Sequence, residues 1–71
     1  MDVGLRLRSA LRHVDEGRRR VKKQQDIIEK LHLNGHPTQD AEDILSWLMN
    51  AQRQFEENYK KLLSVAQKVH P

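Results

Sequence analysis

One spacing constrains this chain more than any other. Residues that are apolar or small, Gln24 excepted, recur at alternating steps of four and three through Val3, Leu7, Ala10, Val14, Gly17, Val21, Gln24, Ile28 and Leu31. The same steps return through Ala41, Leu45, Leu48, Gln52, Phe55, Tyr59, Leu62, Ala66 and Val69. The period is helical, and about four heptads in each run is the pattern of helices that pack lengthwise on other helices. The two runs predict helices over about residues 3–33 and 38–69, each roughly 45 Å long at 1.5 Å per residue.

The stretch "LNGHPT" separates them. Asn34-Gly35 reads as a helix stop, because glycine accepts the left-handed backbone that closes a C-terminus. Pro37 bars the first helix from resuming. Thr38 has the side chain of an N-cap, and Asp40, Glu42 and Asp43 place negative charge where the next helix dipole favours it. His36 is placed to bond the helix-end carbonyls or the start of the second helix. With a turn at 34–37 the helices are antiparallel neighbours, so residues 1–71 form a single all-α hairpin with no linker.

A lone hairpin leaves part of this sequence without a partner. Trp47 and Val65 lie on one flank of the second seam and Met49 on the other. Ile44 and Ala51 widen the stripe, and Leu11 and Ile27 flank the first seam on opposite sides. A short chain struggles to fill a core of its own. This one has a single Phe, Trp and Tyr, and it has no cysteine for a disulfide or thiolate site. Dimerisation into a four-helix bundle covers the flanks, with Ile27, Ile44, Trp47 and Phe55 expected at the interface. The competing reading is a monomer whose flanking residues stay half-exposed.

A turn centred near residue 36 also sets a register. It places Gly17 opposite Phe55, Gln24 opposite Leu48, His13 opposite Tyr59, and Gln52 near Arg20. Glycine inside a helix costs about 1 kcal/mol relative to alanine. Room for the Phe55 ring would explain it; a merely tolerated or kinking glycine is the alternative. Gln24 and Gln52 either fix register as buried amides or sit half-exposed where the bundle widens.

The charge is uneven. Net charge is +3, and residues 1–34 carry nine Lys or Arg against five Asp or Glu, whereas residues 35–71 carry four against five. Arg12, Arg18, Arg19, Lys22 and Lys23 fall on the outer half of the first helix and are the candidates for contact with nucleic acid or another polyanion. Against this, Asp15, Glu16, Asp26 and Glu29 share that exterior and no aromatic residue interleaves for base stacking. A solvated face, with the stems of Arg18 and Arg20 covering seam edges, is the stronger reading.

Other chemistry finds little support. Gly35 breaks the helix between His32 and His36, His13 and His70 are isolated, and no metal site is expected. Ser9, Ser46 and Ser64 have no triad partners in a hairpin. Two helices are expected to offer no concavity large enough for a substrate. No catalytic residue, cofactor or small-molecule substrate is therefore assigned, and the chain does not read as an enzyme. No apolar run reaches the ~20 residues of a membrane span. "MDVGLRLRSALRHV" is Arg-rich in the manner of a transit peptide, but its heptad phase continues into the helix, so a cytoplasmic protein is expected.

The stretch "RHVDEGRRRVKKQQDIIEKLHLNGHPTQDAEDIL", residues 12–45, resembles a family of small bacterial proteins of uncharacterised function. The shared pattern is His13-Val14, Glu16-Gly17, an Arg-rich helix through Gln25, Leu31, then Gly35-His36-x-Thr38 with Ala41. Pro37 departs from the more usual polar residue there, within the turn. The resemblance covers about half the chain, implies a short helical hairpin and brings no activity with it. The expected function is a non-enzymatic protein–protein interaction module, a homodimer with a further protein partner, and polyanion binding by the first helix is the alternative.

Overall fold

The computed structural model describes residues 2–69, without the side chain of Val69; seam position Val69 and the isolated His70 thus lie outside the described side chains. Two helices, α1 (Val3–Leu33) and α2 (Gln39–Val69), pack along their length as an antiparallel hairpin, and there is no strand among the described residues. Each helix has 31 residues, and the longest dimension is 57 Å.

Both ends of α1 are capped. The Asp2 carboxylate accepts from the Gly4 N–H at 2.9 Å and the Leu5 N–H at 3.4 Å. This cap was not foreseen, although Asp immediately before an apolar-periodic run signals one. At the far end Gly35 adopts φ +73°. Its N–H donates to the His32 carbonyl at 3.1 Å and the His36 N–H donates to the Leu31 carbonyl at 2.9 Å. Those two bonds form a Schellman closure, in the place the Asn34-Gly35 pair predicted. Thr38 precedes α2 as expected, but with a different bonding pattern: its hydroxyl donates to the Glu42 carboxylate at 3.3 Å, while its carbonyl accepts from the Glu42 N–H at 2.8 Å.

The seam is the one the heptads marked. All nine α1 positions and the described α2 positions are buried or half-buried. The most enclosed apolar residues are small, Ala10, Val14 and Ala41, which lets the backbones approach closely. No described side chain falls below 2% exposure, because two helices can enclose a line of contacts but not a layer.

The register differs from the symmetric expectation by about one helical turn. Gln52, not Phe55, lies over Gly17: a Cβ on Gly17 would stand 1.6 Å from Gln52 Oε1. Phe55 stacks instead on His13, with ring centroids 5.4 Å apart, so His13 does not meet Tyr59. The Gln24 amide donates to the Ala41 carbonyl at 2.9 Å rather than facing Leu48, and Gln52 donates to the Val14 carbonyl at 2.9 Å rather than lying beside Arg20. The cause lies in the connection. The chain reverses at Asn34-Gly35, and residues 36–38 are non-helical, with His36 held out of the helical region by Pro37. Extended residues advance about 3.3 Å each against 1.5 Å in a helix. The three of them carry α2 further back along α1 than a symmetric turn would.

Candidate interaction faces

Every residue off the seam belongs to one of two sides of the hairpin or to its outer edges. In an antiparallel pair, the flank following one seam position of α1 meets the same flank of α2. The Arg18–Glu56 ion pair at 3.2 Å identifies one such side. At 100° per residue, Ile27 on α1 and Ile44, Ala51 and Val65 on α2 belong to the other.

The first side carries an open groove of about 400 Å³ lined by Arg18, Val21, Lys22, Gln25, Met49, Gln52, Arg53 and Glu56. The expectation that two helices offer no sizeable concavity is thus corrected. Long side chains from both flanks stand up around the apolar floor of Val21 and Met49 and enclose a trough. Its lining contains no Ser, Thr, Cys or His, and its charged groups are Arg18, Lys22, Arg53 and Glu56. Arg53, which sequence reasoning left unassigned, joins Arg18 and Lys22 here. The signal was its place one turn from Met49 and Glu56 on the same flank.

The second side is apolar at its centre. Trp47 is 80% exposed, Ile44 48% and Ile27 40%. Asp43, Ile44 and Trp47 line a shallow depression, and half-buried Ala51 continues the surface. Of the four residues expected at an interface, Ile27, Ile44 and Trp47 share this side with their side chains in solvent. Phe55 is half-buried within the hairpin against His13 and offers at most a ring edge. Leu5 and Leu33 are also exposed, and nothing in the structure explains them.

The five candidate polyanion residues share the outward half of α1, within less than half of its circumference. Arg12 and Arg19 point away from the seam, Arg18 and Lys22 line the groove, and Lys23 lies on the apolar side. Arg18 is already committed to Glu56. Among the described residues, ion pairs join only Arg18 with Glu56 and, at 4.0 Å, Arg20 with Glu16. No group of three or more His, Cys, Asp or Glu is placed to hold a metal ion among these residues. No described helix is long and apolar enough to cross a membrane.

No protein-family model, curated protein or solved structure matches this chain.

Proposed function

We propose that the protein is a non-enzymatic interaction module whose apolar side seats further helices, first of all those of a second copy, so that two hairpins form a four-helix bundle. The observation that carries this reading is surface area. The hairpin exposes 6004 Å². A compact monomer of its mass, 8.4 kDa, exposes about 4,600 Å² by the usual scaling. The excess, roughly 1,400 Å² per chain, is the amount each partner contributes to an obligate homodimer interface. The side containing Ile27, Ile44 and Trp47 supplies apolar surface where such an interface needs it.

Polyanion binding by the outer face of α1 is the weaker reading. Acidic residues share that outer half, no aromatic residue interleaves for base stacking, and Arg18 is already paired with Glu56. Sedimentation velocity over a concentration series tests the main proposal. A species of twice 8.4 kDa is expected at micromolar concentration, and Trp47→Ser is expected to shift it toward monomer. A wild-type monomer persisting at several hundred micromolar would sink the proposal.

A further inference from the structure

The charges that rim the apolar side choose how two copies face each other. On α1, the outer edge beyond Ile27 carries Lys23 and Lys30. On α2, the edge beside Ile44 and Trp47 carries Asp40 and Asp43. These edges stand at the same height on the hairpin: Gln24 reaches the Ala41 carbonyl, which places the first turns of α2 beside the stretch of α1 from Lys23 to Lys30. Among the described residues no ion pair occupies Lys23, Lys30 or Asp40, and Asp43 accepts only from the Gln39 amide, at 2.9 Å. The loop half of this side is therefore basic along one edge and acidic along the other.

We infer that two copies associate through this side about a two-fold axis parallel to the helices, with both loops at the same end and α1 of each copy lying on α2 of the other. The inference rests on the dimeric reading above and deepens it. Such an axis leaves every residue at its own height. It lays Lys23 and Lys30 of one copy over Asp40 and Asp43 of the other, twice per dimer, and brings Trp47 under the cationic edge of the partner's α1, where a ring face attracts cations. The apolar residues reinforce the choice. Ile27, Ile44 and Trp47 lie toward the loop, Ala51 at mid-height and Val65 at the open end, and this axis keeps each at its own height with the hairpins in full overlap. The other axis, with loops at opposite ends, lays α1 on α1. It sets Arg20, Lys23 and Lys30 against their own copies and must stagger the hairpins by about two turns to bring the apolar centres together. Like charges facing one another across an interface disfavour that pairing. Arg6, Lys61 and Lys68 come together at the open end in the same-end dimer, a like-charge cost that the paired loop-half edges offset.

The chain has no cysteine, so a spin label on His36→Cys, in the exposed turn, reports the geometry directly. Dipolar spectroscopy on the dimer is expected to give an inter-label distance of about 20–30 Å, a bundle diagonal plus label arms. A distance of about 35 Å or more, a helix length less the two-turn stagger, would overturn the inference while leaving the dimer intact. Monomer by sedimentation would overturn both. Charge reversal gives a second readout. Lys23→Glu is expected to weaken dimerisation by about threefold to tenfold, and adding Asp43→Lys to the same chain is expected to restore it. Lys30→Glu with Asp40→Lys repeats the test one to two turns nearer the loop. Circular dichroism on each variant confirms the helices, and reversal without rescue in both pairs counts against the same-end geometry.

Discussion

At Gly17 a side chain from the other helix lies directly against the backbone of α1. The Gln52 amide lies across the glycine, donates to the Val14 carbonyl and leaves its own oxygen buried without a partner. In isolation Gly17→Ala would favour α1 by about 1 kcal/mol. Here the new methyl would occupy the space of Gln52 Oε1, so Gln52 must leave its bond or the helices must separate. The steric term is larger than the propensity term, since overpacking a seam costs about 1–3 kcal/mol. Gly17→Ala is therefore expected to destabilise the hairpin by about 1–2 kcal/mol in urea unfolding. With Gln52→Ala in the same chain, the clash is gone and the propensity gain remains, so the pair is expected to recover most of that loss. A double variant as unstable as Gly17→Ala alone would mean that the glycine serves another neighbour. The sequence showed that a small residue was needed at this layer. It named Phe55 as the reason because a one-turn change in register exchanges one seam residue of α2 for the next.

At the scale of the elements, the heptad spacing was fully legible, and so were the stop at Gly35 and the start after Thr38. These depend on local chemistry: side-chain period, the tolerance of glycine for positive φ, and the stiffness of Pro37. Register was not legible, because it depends on how far three non-helical residues travel, and their path is not encoded by any single one of them. The same limit explains the candidate sites. That Ile27, Ile44 and Trp47 share one side follows from helical angles alone, whereas Arg18, Lys22 and Arg53 meet only once two helices are set in register. The Gly35 closure is the element most open to a clean test. A Cβ there meets nothing within 4 Å, so Gly35→Ala carries no packing change and reports the left-handed backbone alone. It is expected to cost about 1–2 kcal/mol, and Gly35→Asn less, since asparagine tolerates this region better. Equal costs for the two would point to a contact rather than to backbone strain. The Arg18–Glu56 bridge makes the contrasting case. Its side chains are 66% and 40% exposed, and exposed pairs of this kind add little.

At the scale of the whole molecule, the hairpin has helices in good order and a poor inside. Its enclosed apolar residues are Ala10, Val14 and Ala41, while Trp47, the largest apolar side chain in the sequence, stands 80% exposed. In the proposed dimer such a chain gains its remaining burial across the interface, and its stability then follows mass action. The melting temperature of the wild-type protein is therefore expected to rise with protein concentration, whereas a monomeric fold would melt independently of it. Trp47→Glu separates the two cases. The residue touches solvent on an isolated hairpin, and surface substitutions away from special features usually change stability by less than about 0.5 kcal/mol. On a bundle, the same change removes the buried indole from beside Ile27 and Ile44, and losing a buried Trp side chain costs about 3–5 kcal/mol. The variant is expected to melt well below wild type at high concentration, with the gap closing on dilution as wild type itself dissociates. Scanning calorimetry across a hundredfold range of concentration measures both slopes. A wild-type melting temperature that does not move, together with a Trp47→Glu variant that melts with it, would leave the exposed side without a structural role.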